Sequence, residues 1–368
     1  MKKDIYYLFS SITFLQFFIP IVIECNKRGY NNIFIFNVNI TKEYANIFEK
    51  NNYKIIKQYL DKYKIKEIRS DEIDLSKIKS LFFMIDGDIY GPPRKIALKN
   101  SLLSKLSRES IKISLTEHMN FWAVYHYFID KINYACFTNE NIISQMDQLK
   151  NKNIKIAKDV NIKFNKSFKN KKNIFLGSTK FENIPAKEFI YSKFNLSPNN
   201  KYCLFLFPKI RGYFKKSNIL NIYSHLNKLG YKIIVKQRPK DNDIDKSLKG
   251  DIFVCSDIYP NESLELMKIS DFCIISSSSA NEETIFSEIP CIDLISDLRP
   301  WERNQYLLDD RTYIRVENEV WKNISYEDFS KILNKLEPKN SKYYKKIKEK
   351  FNLNITNCSE LILNFIKY

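Results

Sequence analysis

The segment DFCIISSSSANEETIF (271–286) holds the densest set of groups able to do chemistry. Its apolar run, Asp271 to Ile275, reads as a buried strand. The strand leads into Ser276, Ser277, Ser278 and Ser279, and then into a helix starting near Ala280. Hydroxyls and unsatisfied amides at a helix N-terminus suit a phosphate. Glu282 and Glu283 follow in the first turn, where one of them is placed to accept hydrogen bonds from ribose hydroxyls. An ordinary N-cap uses a single hydroxyl, so four in a row exceed that need. Two more apolar runs end in cations. Lys209, Arg211 and Gly212 follow one, and Lys236, Arg238, Pro239 and Lys240 follow the next, in YKIIVKQRPK. Guanidinium groups can clamp a diphosphate bidentately and stabilise it as a leaving group without a metal ion. Three loops of compatible chemistry at three strand ends point to one anionic ligand.

These loops need a scaffold, and the chain supplies a regular one. Short apolar runs alternate with longer amphipathic stretches. Strands are expected at 5–9, 33–39, 80–85, 111–115, 133–137 and 173–177, and again at 202–207, 231–236, 252–255, 271–275, 290–295 and 312–315. Helices are expected at 41–50, 93–106, 120–130, 139–149, 215–229, 261–269, 280–288 and 325–335. Such alternation implies parallel sheets covered on both faces. Twelve strands with one break near 178–200 fit an α/β chain of two Rossmann-like domains, with a cleft between them, better than one barrel. The expected division is 1–190, 191–338 and a C-terminal helical segment, 339–368, returning to the first domain. With only seven glycines, each is informative. Gly29, Gly230 and Gly250 precede strands and read as backbone punctuation. Gly87, Gly91, Gly177 and Gly212 follow strands, where open α/β sheets bind ligands.

Residues 5–23 carry no charge, a length that would suit a signal anchor. Asp4, Pro20 and the strand that follows favour a buried strand–helix–strand start instead, with Gly29 closing the helix. The 368 residues carry Lys+Arg 60 against Asp+Glu 42, a formal net charge of +18. That charge favours anionic partners, although the abundance of Lys, Asn, Ile and Tyr with few Gly and Pro looks like a coding bias. The Lys-rich stretch KDVNIKFNKSFKNKKN (158–173) reads as a solvated loop or as a contact for anionic lipid or acceptor. The composition excludes collagen-like, mucin-like and disulfide-scaffold classes. Seven unclustered cysteines and three histidines without metal spacing argue for a reducing compartment and against a structural zinc site. The expected location is cytoplasmic, with peripheral contact at the inner face of the membrane.

Ser277-Ser278-Ser279-Ala280-Asn281-Glu282-Glu283, followed by Pro290, resembles the S-G-G-x-Q-E-E…P signature of UDP-N-acetylglucosamine 2-epimerases. Arg299-Pro300-Trp301-Glu302-Arg303 is similar to the E-R-P-E segment that follows it in that family. The family shares the two-Rossmann GT-B fold with many glycosyltransferases, including surface-polysaccharide enzymes. The resemblance implies that Ser277 and Ser278 bind nucleotide phosphates and that Glu283 binds ribose. FFMIDGDIYGPP (82–93) resembles the family's strand-then-G-D loop and puts Asp88 on the cleft side. ISLTEH (113–118) resembles the V-E-A-G-L-R strand end and puts Glu117 near Asp88. A carboxylate pair at adjacent strand ends can supply acid and base roles. Asp86-Gly87-Asp88 also matches D-x-D formally, but the metal-binding tripeptide belongs to another fold.

Two departures separate the chain from the epimerases. The P-E-E-x-N-R segment has no counterpart, and Phe207-Pro208-Lys209-Ile210-Arg211 stands where the family has a His-Arg pair. Epimerisation by elimination and re-addition uses those groups for proton transfer. The expectation is therefore a metal-independent glycosyltransferase, with no cofactor beyond its nucleotide-sugar donor and with a surface-glycan or lipid-linked acceptor. A nucleotide-sugar 2-epimerase or its hydrolysing relative is the alternative. An RNA-binding role would use the positive charge, but no RNP, KH or zinc signature accompanies it. Nucleic acid is not an expected partner.

Overall fold

The computed structural model describes residues 3–38, 48, 50–85, 102–115, 132–138, 172–207, 215–237, 244–255, 258–259, 261–276, 280–294, 313–316, 318–350 and 352–368. The chain divides into two units, Met1–Glu182 with Lys350–Tyr368, and Asn183–Glu349. Each is built on its own parallel sheet.

The first sheet comprises β1 (Asp4–Phe9), β2 (Asn31–Phe36), β3 (Lys66–Arg69), β4 (Leu81–Ile85), β5 (Ile111–Leu115), β6 (Tyr134–Phe137) and β7 (Lys172–Phe175). Its strand order is β3-β2-β1-β4-β5-β6-β7, so the order reverses between β1 and β4. Two helices are described among these strands, α1 (Leu15–Lys27) and α2 (Lys50–Tyr63). The uncharged N-terminal stretch is thus a central strand and the helix that follows it. Tyr7 lies in register with Phe34 and Phe83, and its ring stacks on Phe83 at 5.5 Å. Its hydroxyl donates to Asn32 Oδ1 at 2.8 Å, which satisfies the one polar atom of a fully buried ring. Gly29, at φ +75°, ends α1 as expected, with Tyr30 N–H donating to the Cys25 carbonyl. No helix among the described residues is long and apolar enough to cross a membrane.

The second unit opens with α3 (Lys187–Lys193) and builds its sheet from β8 (Lys201–Leu206), β9 (Tyr231–Lys236), β10 (Ile252–Val254), β11 (Phe272–Ile275), β12 (Cys291–Leu294) and β13 (Tyr313–Val316). The order is β10-β9-β8-β11-β12-β13, reversing between β8 and β11. Between and after the strands come α4 (Lys216–Lys228), α5 (Glu262–Ile269), α6 (Ala280–Phe286), α7 (Asn318–Trp321), α8 (Tyr326–Asn334) and α9 (Lys342–Lys350). Fully buried Trp321 joins Ile219, Ile222, Leu226 and Phe329 in the core of this unit. Asp271 and Asp251 accept from the Tyr202 and Ile233 amides, each at 2.7 Å, and so satisfy donors at the N-terminal edge of the sheet.

The unit limits differ from the breaks read at 190/191 and 338/339. Helix α3 straddles the first break but lies wholly in the second unit, where Lys193 pairs with Glu265 at 2.6 Å. Most of α9 also lies there, because Tyr344 is fully buried and Lys348 meets Glu288 at 2.9 Å. Only the last helix, α10 (Cys358–Phe365), returns to the first unit. Arg28 holds it through Asn364 Oδ1 at 2.8 Å and the Tyr368 carbonyl at 3.2 Å.

Gly177 belongs to this return rather than to a ligand loop. Its φ of +81° disfavours any side chain, and a Cβ there would sit 2.9 Å from Cys358 Sγ and 3.1 Å from the Asn352 carbonyl oxygen. Glu182 completes the attachment by accepting from the Ser359 amide at 2.6 Å, in the first turn of α10. Burial, reinforced by Glu24, pushes its carboxyl up from 4.5 to about 7 against the lowering pull of the Ser359 hydrogen bonds and Lys27. The folded state therefore binds this proton more tightly than the unfolded chain does, and stability falls as pH rises from about 4.5 to about 7. Glu182→Gln keeps an acceptor for Ser359 and removes that loss. Denaturant titrations should show the variant gaining on the wild type by on the order of 2 kcal/mol between pH 5 and pH 8. Parallel pH profiles would contradict this account of Glu182.

Candidate functional site

In an open parallel sheet, ligands bind outside the carboxyl ends of the strands where the strand order reverses. In the second unit that point lies between β8 and β11. In the sequence, Lys209 and Arg211 follow β8, and Ser277–Ser279 follow β11. β9, the neighbour of β8, ends two residues before Arg238 in the sequence. Lys209, Arg211, Arg238, Ser277, Ser278 and Ser279 lie outside the described residues, but the strands that launch their loops are all in place. The first unit repeats the arrangement. β4 lies at its reversal and ends at Ile85, shortly before Asp88, and adjacent β5 ends at Leu115, shortly before Glu117. Asp88 and Glu117 also fall outside the described residues, as do residues 158–171 of the Lys-rich stretch.

Ser276, Glu282 and Glu283 are described. Ser276, half-buried, donates its hydroxyl to the Leu294 carbonyl at 2.9 Å, tying the end of β11 to the end of β12. Its proton is committed to the sheet, which leaves its lone pairs for any further contact. Glu282, in the first turn of α6, is buried. Glu283 is half-buried, and its Oε1 accepts from Asn261 Nδ2 at 3.3 Å. The Asn261 side chain also caps α5, its Oδ1 accepting from the Ser263 amide at 3.0 Å. One amide side chain thereby links the starts of α5 and α6. Asn261 was not singled out from the sequence, although an Asn before an apolar helix is a readable N-cap signal.

Lys236 differs from its reading as a ligand-facing cation. It is the last residue of β9 and is buried, with its Nζ 2.9 Å from Glu262 Oε2 and donating to the Gln237 carbonyl at 3.0 Å. Glu262 and Glu265 are themselves fully buried, and Lys193 reaches Glu265 at 2.6 Å and Glu262 at 3.8 Å. This charge is neutralised inside the unit, two residues before Arg238 in the sequence. A buried ammonium needs such a partner, because desolvation of an unpaired charge costs several kcal/mol. Among the described residues, no group of three His, Cys, Asp or Glu side chains is arranged to hold a metal ion.

No protein-family model matches the sequence, and no curated protein matches it. Solved structures do match in fold over nearly the whole chain. The glycotransferase of kitacinnamycin superposes with a TM-score of 0.56 at 7% identity, over 99% of this chain and 99% of that one. UDP-GlcNAc 2-epimerase from Neisseria meningitidis, bound to UDP-GlcNAc, gives 0.55 at 12% identity over 99% of both chains. A wall teichoic acid polymerase gives 0.55 at 12% identity, over 100% of this chain and 88% of that one. The two parallel sheets thus belong to the GT-B fold that glycosyltransferases and UDP-GlcNAc 2-epimerases have in common, as the serine–glutamate segment implied.

Proposed function

We propose that the protein is a glycosyltransferase that moves a sugar from a nucleotide-sugar to a surface-glycan or lipid-linked acceptor. The observation that carries this reading is the strand order of the second sheet. Its order reverses between β8 and β11, the strands that precede Lys209 and Arg211 and the serine run in the sequence, and β9, which precedes Arg238, is the neighbour of β8. In this reading the second unit binds the donor. Ser277–Ser279 hydroxyls and amides hold the diphosphate, with Ser276 anchoring their segment through its hydrogen bond to the Leu294 carbonyl. Lys209, Arg211 and Arg238 neutralise the diphosphate as it leaves, and Glu282 or Glu283 accepts from ribose. Asn261 holds the Glu283 carboxylate through its hydrogen bond.

The first unit supplies the acceptor side. Asp88 or Glu117 removes the acceptor hydroxyl's proton as its oxygen attacks the anomeric carbon with inversion, and the nucleoside diphosphate departs with the bonding electrons. A 2-epimerase reading uses the same donor site and is favoured by the Ser277-to-Glu283 segment with Pro290. It lacks the proton-transfer groups named above.

Thermal-shift titration with CMP, CDP, UDP and GDP tests the donor site. A nucleotide at a hundred times its Kd stabilises the fold by about 2.7 kcal/mol, so one diphosphate should raise the melting temperature. The double variant Ser277→Ala/Ser278→Ala should lose charge-assisted bonds of about 1.5–3 kcal/mol each. Its affinity should fall at least tenfold. No shift with any nucleotide, or an unchanged affinity in the double variant, would contradict the assignment.

A further inference from the structure

Helix α9 has the sequence KYYKKIKEK and carries five lysines against a single acid, Glu349. Lys342, Lys345, Lys346 and Lys350 are all exposed. At about 3.6 residues per turn they lie within an arc of about 140°, which also takes in the exposed Glu349, so the face carries four cations and one carboxylate. Lys342 and Lys346 stand one turn apart, as do Lys346 and Lys350, a spacing at which like charges destabilise a helix. No ion pair among the described residues engages Lys342, Lys345 or Lys346 with a carboxylate. The helix is nonetheless firmly seated. Tyr344, on the opposite side, is fully buried. Lys348 meets Glu288 at 2.9 Å and lies over the Phe286 ring at 5.2 Å, and the Asn340 amide donates to the Glu288 carbonyl at 3.0 Å. Half-exposed Tyr343 and Ile347 border one side of the lysine arc.

We propose that this lysine face is a docking surface for an anionic lipid bilayer. A face of net positive charge presented on a fixed helix is complementary to a surface of phosphate headgroups. Long lysine stems let the ammonium groups reach headgroup level while apolar neighbours lie deeper. Tyr343 and Ile347 provide such neighbours. The face contains no arginine, so it lacks the planar forks that suit bidentate phosphodiester recognition in nucleic acid. The proposal stands apart from the nucleotide-sugar reading and survives its failure.

Vesicle co-sedimentation of the full chain tests it, with phosphatidylglycerol/phosphatidylcholine vesicles compared with pure phosphatidylcholine. Binding should need the anionic lipid and weaken with salt. The triple variant Lys342→Gln/Lys345→Gln/Lys346→Gln should bind at least tenfold more weakly with an unchanged melting temperature. The Lys→Arg triple at the same positions should retain binding. As a charge-matched control, Lys54→Gln/Lys62→Gln/Lys66→Gln, at exposed positions of the first unit, should lose much less. Equal loss in the control would mean that net charge rather than this face governs binding, and would overturn the proposal. So would full binding by the α9 triple, no binding by the wild type, or a preference for single-stranded RNA over the anionic vesicles.

Discussion

Replacing the acceptor-side base should lower turnover by ~100- to 10,000-fold while leaving donor binding intact. Glu117→Gln and Asp88→Asn are the variants that test this. Each keeps the size of the side chain and most of its hydrogen bonds but cannot take up a proton. An acceptor hydroxyl is a poor nucleophile until its proton is drawn away, so the missing base acts on the transition state and not on the bound donor. The expected pattern is a collapse in kcat with little change in the thermal shift caused by nucleoside diphosphate. The two residues follow adjacent strands, β4 and β5, and one of them should carry most of the effect. Near-normal turnover in both variants would remove them from the mechanism and bring His118, next to Glu117, forward. Loss of donor binding along with turnover would make them supports rather than catalytic groups.

The largest stability effect should come from the Lys236–Glu262 pair. Glu262→Ala would leave the Lys236 ammonium, only 6% exposed, without its closest carboxylate. Removing one partner of a buried pair costs about 3–5 kcal/mol. Lys193 and Glu265 cannot compensate, because their 2.6 Å contact already engages both charges. Lys236→Met/Glu262→Leu removes both charges and fills a similar volume, so it should fall within about 1–2 kcal/mol of the wild type. Denaturant unfolding of the two variants measures the difference. A single variant as stable as the double would mean that the ammonium finds water, contrary to the buried geometry. The pair also fixes the end of β9, so Glu262→Ala should weaken the response to nucleotide through the Arg238 loop.

Much of this architecture was legible because buried parallel strands are written as continuous apolar runs. IYYLF, IFIF and LFFMI appear as β1, β2 and β4, and YCLFL, IIV and FCII as β8, β9 and β11. Strand β3 escaped because KEIR is a short, half-exposed edge strand with no apolar run to mark it. Helix α2 escaped for another reason. Its lysines and asparagines mask Ile56, Tyr59 and Leu60, whose spacing nevertheless marks a buried stripe.

At the candidate site, strand ends could be read from sequence, but partners distant in the chain could not. Lys236 stands at a strand end like a ligand-binding cation, and only the tertiary fold reveals Glu262, at the start of α5, beside it. Gly177 likewise follows a strand, yet its neighbours are Asn352, Ile355 and Cys358 of the returning segment. Local patterns report periodicity and turn chemistry, whereas charge pairing and close backbone approach depend on tertiary contacts.

The central claim is that a sugar is transferred to an acceptor rather than rearranged on its nucleotide. The most direct measurement incubates the purified protein with a panel of nucleotide-sugars that includes UDP-N-acetylglucosamine, with and without glycan and lipid-linked acceptors. Mass spectrometry follows both nucleotide and sugar. The account predicts nucleoside diphosphate release that requires acceptor and is matched by sugar joined to it. Conversion of UDP-N-acetylglucosamine alone, to its C2 epimer or to UDP and free sugar, would contradict it.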